Sequence, residues 1–153
     1  MSWINPDSGS LINTDDAISF AEKNHLASVG NSDGAYFTNG KILIHLYEEK
    51  SYLHADYYDL KNSRWQRELQ TEIVELEIPN IEKRRELVAS FASPGGVLSR
   101  SSMQRFRFIL YAIDRFMQDF LSGDFTRYES FFKSLKGKQK EQIEKIAANT
   151  RYA

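Results

Sequence analysis

The sequence predicts a single α+β domain over residues 1–153, and three observations support this fold class. One helical segment comes first, strand-like segments follow it, and further helical segments end the chain, which is an order typical of α+β domains. A chain of 153 residues can bury one core without disulfides or metal ions. The longest helical segment, residues 101–121, has an apolar stripe broad enough to need a sheet against it. We therefore predict an N-terminal helix, a four-stranded antiparallel meander, and three to four C-terminal helices packed on one sheet face around 101–121.

The first predicted helix begins at Asn13 or Thr14, since either side chain can accept a hydrogen bond from a free backbone N–H of the first turn. Asp15 and Asp16 follow, where their negative charge suits the positive end of the helix dipole. The helix is expected to end around residues 25–26.

Asn39-Gly40 is the strongest hairpin signal in the chain, because it separates the strand-like segments GAYFT and KILIHLY. Both residues tolerate the positive φ angles of a type I′ turn, so a two-residue turn is predicted. This turn would place Phe37 opposite Ile42.

A second turn is predicted at residues 48–51, and it leads into the strand YLHADYYDL. The predicted pairing puts His45 opposite His54 and Tyr47 opposite Tyr52. These three strands form a meander whose side chains alternate between two faces.

A fourth strand is predicted at residues 70–78, where apolar and polar residues alternate, whereas residues 60–69 have no assignment. Helices are expected at residues 81–92, 124–135 and 138–153. Phe108 projects away from the apolar stripe of 101–121, so it is either covered by the last helices or exposed to a partner.

The two sheet faces differ in chemistry. The first face is almost wholly apolar and is predicted to lie against residues 101–121. Its members are Ala35, Phe37, Ile42, Ile44, Leu46, Leu53, Ala55 and Tyr57. The second face is polar and rich in aromatic residues. From it and the fourth strand we select the candidate partner-binding residues Tyr36, His45, Tyr47, Tyr52, His54, Asp56, Tyr58, Glu75 and Glu77.

Tyrosine suits a recognition surface because it combines a large apolar body with a polar tip. The carboxylates around this face favour a partner protein with a basic surface and disfavour nucleic acid. In the alternative arrangement, the C-terminal helices or residues 60–69 pack over the tyrosines.

Small α+β proteins with such a face and no catalytic motif are typical of dedicated binding proteins, such as immunity proteins or antitoxins that block a toxin. The sequence contains no Walker loop, nucleophile elbow or dinucleotide fingerprint. We therefore predict a non-catalytic protein of this type that uses no cofactor.

Two other functions stay open. His45, His54 and Asp56 could bind a metal ion or act as acid and base in an enzyme, with Glu75 as a further ligand. The second alternative is a nucleic-acid binder that uses the C-terminal helices, because residues 99–153 hold 11 Lys and Arg against 6 Asp and Glu. Residues 1–98 hold 9 Lys and Arg against 15 Asp and Glu.

The chain has no cysteine, which excludes disulfides, thiolate metal sites and a cysteine nucleophile. The first residues lack the features of a signal peptide, and no apolar run reaches the roughly 18–20 residues of a membrane helix. We therefore expect a cytoplasmic protein that does not enter a membrane.

Overall fold

The computed structural model describes residues 6–50, 52–67 and 102–152. The strand predicted at 70–78 and the helix predicted at 81–92 lie outside these residues. Glu75 and Glu77 of the predicted site lie outside them as well.

Among the described residues, helices precede and follow the first five strands. The sixth strand lies between two of the C-terminal helices. The helices are a 3₁₀ helix at Pro6–Asn13, α1 at Asp15–Lys23, α2 at Ser102–Phe116, α3 at Gln118–Leu121, a 3₁₀ helix at Thr126–Phe131, and α4 at Gly137–Tyr152. The strands are β1 at Ala27–Asn31, β2 at Gly34–Thr38, β3 at Ile42–Glu49, β4 at Tyr52–Asp59, β5 at Arg64–Arg67 and β6 at Lys133–Ser134.

The strands form one antiparallel sheet in the order β1-β2-β3-β4-β5-β6, so the α+β class and the meander are confirmed. The predicted count of four is wrong, because the described residues alone contribute six strands. β5 lies within residues 60–69, which had no assignment, and its sequence RWQR lacks a run of apolar residues. β6 has only two residues, too few for any alternation to show in the sequence.

The predicted N-terminal helix is confirmed as α1. The Thr14 hydroxyl oxygen accepts a hydrogen bond from the Ala17 N–H at 3.3 Å, as expected of a capping residue. The helix ends at Lys23, slightly earlier than predicted. Ala17 and Phe20 are buried, so this short helix is held by packing against the core.

The turn between β2 and β3 is wider than predicted. Phe37 pairs with Ile44, not with Ile42, and the last pair is Thr38 with Leu43. Four residues, 39–42, therefore separate the paired positions, although β3 itself begins at Ile42, which pairs with β4. The Asn39 side-chain oxygen accepts a hydrogen bond from the Ile42 N–H at 3.2 Å. The same oxygen accepts a hydrogen bond from the Lys41 N–H at 2.9 Å. The two contacts stabilise the wider turn, because they satisfy backbone N–H groups of the connection, among them the Lys41 N–H that a two-residue turn would have paired with Thr38.

The pairing of β3 with β4 also differs from the prediction by two residues. His45 lies opposite Asp56, and His54 lies opposite Tyr47, so the predicted His45–His54 pair is wrong. The turn is shorter than expected and begins at Lys50, whose φ of 53° allows a tight reversal. A shift of two residues leaves every side chain on its predicted face, because the side-chain period of a strand is two.

The first sheet face forms the main core, as predicted. All eight of its residues are fully buried: Ala35, Phe37, Ile42, Ile44, Leu46, Leu53, Ala55 and Tyr57. Phe120 of α3 meets Tyr57 edge to face with ring centroids 5.6 Å apart. Phe106 and Ile113 of α2 belong to the same cluster, which confirms that residues 101–121 pack on this face.

The continuous helix predicted at 101–121 is interrupted at Met117, which separates α2 from α3. The Arg127 guanidinium donates a hydrogen bond to the Phe116 carbonyl at 2.8 Å, and this contact stabilises the interruption. Phe108 is 3% exposed, so it is covered.

The helix predicted at 124–135 is replaced by the 3₁₀ helix Thr126–Phe131 and by β6. Thr126 and Glu129 have the spacing of a capping box, but the Glu129 carboxylate pairs with the Arg64 guanidinium instead. The Thr126 N–H donates instead to the Asp124 side chain at 3.1 Å.

The second sheet face is covered by α4, which corrects the prediction that the C-terminal helices share one face. Ile143 of α4 packs in a second apolar cluster with Tyr36, Leu43, Tyr58 and Leu135. The sheet therefore lies between two helical layers. Among the described residues, no helix is long and apolar enough to cross a membrane.

Candidate functional site

A cleft of about 280 Å³ lies between the second sheet face and α4. Five of the nine predicted site residues line it: Tyr36, His45, Tyr47, Asp56 and Tyr58. They come from β2, β3 and β4, and the alternation of side chains along each strand directs them to the same face.

The opposite wall of the cleft comes from α4. Gln139, Gln142, Ile143 and Ile146 line it, and their spacing of three and four residues places them on one side of a helix. Ile143 is buried and Ile146 half-buried, whereas the two glutamines are exposed. The two glutamines therefore lie on the solvent-exposed side of the cleft.

Five aromatic rings form a row across the sheet beside the cleft. Tyr36 stacks on His45 with ring centroids 4.2 Å apart and planes 7° apart, and His45 lies 4.6 Å from Tyr47. Tyr47 stacks on His54 at 5.3 Å, and His54 meets Tyr52 at 5.1 Å. The row follows from two cross-strand pairs, Tyr36 with His45 and Tyr47 with His54.

His45 is a neutral hydrogen-bond donor in this arrangement. Its Nε2 lies 2.5 Å from the Asp33 carbonyl oxygen, which can only accept, so Nε2 carries the hydrogen. Burial lowers the pKa of His45 to about 4, although the Asp33 carbonyl acts in the opposite direction. The imidazole is therefore uncharged near pH 7.

Asp56 is a buried carboxylate among the tyrosines. It is 6% exposed, and the Tyr47 hydroxyl donates to its Oδ2 at 3.2 Å. Burial raises the pKa of Tyr36, Tyr47 and Tyr58 well above the ordinary value, and the charge of Asp56 adds to this in all three. The three hydroxyls therefore stay protonated and lie within the field of a single carboxylate.

The charges that line the cleft are mostly negative. Asp33 and Glu49 lie at its wall with Asp56, and the cation among its lining residues is Arg67. The Arg67 Nε is 3.7 Å from Asp56 Oδ1, and its side chain is 60% exposed. Three carboxylates and one guanidinium leave the cleft with a net charge near −2 when His45 is neutral, which attracts cations.

The predicted exposed binding surface does not exist in the form expected. Tyr36, Tyr47 and Tyr58 are each less than 5% exposed, and Tyr36 and Tyr58 pack in one cluster with Ile143 of α4. Tyr52 and His54, at the far end of the aromatic row, are half-buried and do not line the cleft. A partner can therefore reach this face through the cleft, but not across a flat sheet.

The described members of the predicted metal set, His45, His54 and Asp56, are not grouped as metal ligands. His45 lies opposite Asp56, as noted above, but its Nε2 is directed to a backbone carbonyl, and His54 lies outside the cleft. Within residues 6–50, 52–67 and 102–152, no three His, Asp or Glu side chains are grouped as metal ligands. The described geometry gives this alternative no support.

Several cleft residues were missed from the sequence. Arg67 lies in the segment 60–69, which had no assignment. Asp33 lies in a turn and contacts His45 through its backbone carbonyl, a contact that no pattern in the sequence indicates. Gln139, Gln142 and Ile143 lie in the helix predicted at 138–153, but the sequence did not show that this helix covers the second sheet face.

Comparison of the chain with protein-family models, with curated proteins and with solved structures found no match.

Proposed function

We propose that this chain is a non-catalytic binding protein of the immunity or antitoxin type, which captures a partner protein with a basic surface. The observation that supports it is the cleft beneath α4, where Asp33, Glu49 and Asp56 outnumber the cation Arg67. A basic side chain of the partner would enter this cleft and meet carboxylate and phenol oxygens.

The chemistry of the cleft disfavours an anionic partner such as nucleic acid. Phosphate groups would approach three carboxylates and three hydroxyls that stay uncharged, so the electrostatic attraction that drives nucleic-acid binding is absent there. A cationic protein surface gains from the same charges. Long-range attraction of opposite charges also speeds encounter, which suits a protein that must capture a harmful partner before it acts.

The cleft suits an anchor for one projecting side chain better than a broad interface. Its volume of about 280 Å³ is small, and its walls are held by the sheet and by the packing of Ile143. The remainder of such an interface would lie around the mouth of the cleft, with the half-buried Glu49 nearby. A single buried anchor surrounded by polar contacts is common at protein interfaces.

The test is capture of a partner from an extract of the native host with tagged wild-type protein and two double variants. Asp33→Asn with Glu49→Gln removes two cleft charges, whereas Glu22→Gln with Glu141→Gln removes two charges from exposed residues outside the cleft. We expect wild type and the second variant to retain the same basic protein. The cleft variant should retain it about tenfold less well, since each lost charge contributes on the order of 0.5–1 kcal/mol.

The immunity or antitoxin type adds a second requirement. Expression of the captured protein alone should inhibit growth, and co-expression of wild type, but not of the cleft variant, should relieve the inhibition. Equal retention by both double variants would refute the cleft as the binding site. A captured protein that does not inhibit growth would refute the immunity or antitoxin type.

A further inference from the structure

Two tyrosine hydroxyls of the cleft take no part in the hydrogen bonds of the fold. Tyr36 and Tyr58 line the cleft and are only 2% and 4% exposed. Among the residues that the structure describes, neither hydroxyl has a hydrogen-bond partner. The neighbouring Tyr47 hydroxyl, in contrast, donates to Asp56 Oδ2 at 3.2 Å. A buried polar group is unfavourable unless another group meets it, so the two hydroxyls indicate a polar ligand.

The two hydroxyls belong to strands on either side of β3. Tyr36 of β2 lies opposite His45, and Tyr58 of β4 lies opposite Leu43, so both side chains are on the second sheet face. Burial raises the pKa of Tyr36, and the Asp33 carboxylate raises it further. Both hydroxyls therefore stay protonated, and their oxygens can accept hydrogen bonds from a ligand. The negative charge around them favours a cation.

We propose that the Tyr36 and Tyr58 hydroxyls bind a primary ammonium group, which a lysine side chain of the partner supplies. The inference rests on the proposed function, and it adds the chemical class that the cleft recognises. Asp56 keeps its contacts with the Tyr47 hydroxyl and with Arg67 and adds only its charge to the site.

The geometry favours an ammonium group over a guanidinium. A guanidinium binds best to both oxygens of one carboxylate, whereas the buried carboxylate here, Asp56, keeps its existing partners. A guanidinium can also stack on an aromatic face. Tyr36, however, already stacks on His45 with ring planes 7° apart. Tyr58 stacks on Trp65 with ring planes 23° apart. An ammonium group is a compact charge with three rotatable donors, which suits two separate phenol oxygens.

Titration with blocked lysine tests the proposal without knowledge of the partner. The probe is N-acetyl-lysine amide, and its matched control is N-acetyl-norleucine amide, which lacks the amine. N-acetyl-arginine amide tests the selectivity, and backbone amide signals of β2 and β4 in two-dimensional NMR report the binding. We expect the lysine probe to bind wild type with a Kd on the order of millimolar, as suits one small group. The arginine probe should bind at least about threefold more weakly, and the norleucine probe should give no saturable shift.

Variants then test the two hydroxyls. Tyr36→Phe and Tyr58→Phe each remove one hydroxyl and keep the ring. Each should weaken binding of the lysine probe about two- to tenfold, as expected for one lost hydrogen bond. Neither should lower the midpoint of urea unfolding, because among the described residues these hydroxyls make no hydrogen bond. The matched variant Tyr52→Phe removes a hydroxyl from a tyrosine that does not line the cleft and should leave the Kd unchanged.

The results that overturn the proposal are distinct from those that overturn the proposed function. An unchanged Kd or a lower urea midpoint in either Tyr36→Phe or Tyr58→Phe shows that the two hydroxyls do not form the site. Equal or tighter binding of the arginine probe shows that the cleft does not select an ammonium group. Each of these results leaves partner capture intact if the Asp33→Asn with Glu49→Gln variant still loses the partner. Conversely, binding of the lysine probe that depends on both hydroxyls, without any captured protein, would support the ammonium site and refute the proposed function.

Discussion

Acidification from pH 7 to pH 4 should lower the free energy of unfolding by about 3 kcal/mol through His45 alone. The imidazole is 7% exposed, and its burial lowers its pKa to about 4, against about 6.5 in an unfolded chain. Between these two values the unfolded chain binds a proton that the folded protein does not. Stability is therefore complete above pH 6.5 and falls as the pH decreases towards 4.

The magnitude follows from the two pKa values. At pH 5 the unfolded histidine is almost fully protonated and the folded one almost fully neutral, which gives a loss of about 2 kcal/mol. At pH 4 the folded histidine is half protonated and the loss reaches about 3 kcal/mol. Below pH 4 this residue adds little more, because both states bind the proton.

Urea unfolding at pH 7, 6 and 5 measures this effect, with the fluorescence of Trp65 as a probe since its ring stacks near Tyr58 at 6.4 Å. The range stops at pH 5 because ordinary carboxylates titrate below it. Two variants lack the titratable group: His45→Gln keeps a donor for the Asp33 carbonyl, and His45→Phe keeps a ring against Tyr36. Both should lose about 2 kcal/mol less than wild type between pH 7 and pH 5.

If both variants show the same pH dependence of stability, the effect in wild type comes from protonation of His45 and not from its contacts. Each variant removes a different contact at pH 7, so each has its own stability, but neither binds a proton at this position. If wild type and both variants lost stability in parallel between pH 7 and pH 5, the buried neutral state of His45 would be refuted.

Three further substitutions test the fold, each by urea unfolding at pH 7. Phe120→Ala should lower the free energy of unfolding by about 3–5 kcal/mol, because it leaves a cavity among the rings of the main core. Thr14→Ala should cost about 1 kcal/mol through the lost cap of α1. Arg64→Ala should cost about 3 kcal/mol, since it deprives the buried Asp59 of its guanidinium. Ile18→Ala, at a position 45% exposed, serves as control and should stay within about 0.5 kcal/mol, and a larger change there would undermine the comparison.

The sheet faces were predictable from the sequence although the strand pairs were not. Both hairpins differ from the expected register by two residues, through the side-chain contacts of Asn39 in one and the short turn at Lys50 in the other. A shift of two residues leaves each side chain on the same face of the sheet, but it changes every cross-strand partner. The predicted burial of Phe37 and Ile44 is therefore correct, whereas the predicted pairing of His45 with His54 is wrong.

The cover over the second face was harder to predict. α4 has few apolar residues, and its contact with the sheet depends on Ile143, Ile146 and Ala147, with glutamines on the same side. A helix with so narrow an apolar stripe resembles a solvated one. Packing against Leu43, which is far from α4 in the sequence, decides the position of the helix together with Leu135, which lies just before it.

The covered face has an apolar part and a polar part. Leu43 packs with Ile143 and Leu135, which holds α4 against the sheet. Asp56 lies in the polar part, where the Tyr47 hydroxyl donates a hydrogen bond to its Oδ2. In the function that we propose, the same carboxylate would attract a basic side chain of the partner. α4 therefore has two effects: it covers the tyrosines of the second face, and it forms one wall of the cleft that the same tyrosines line.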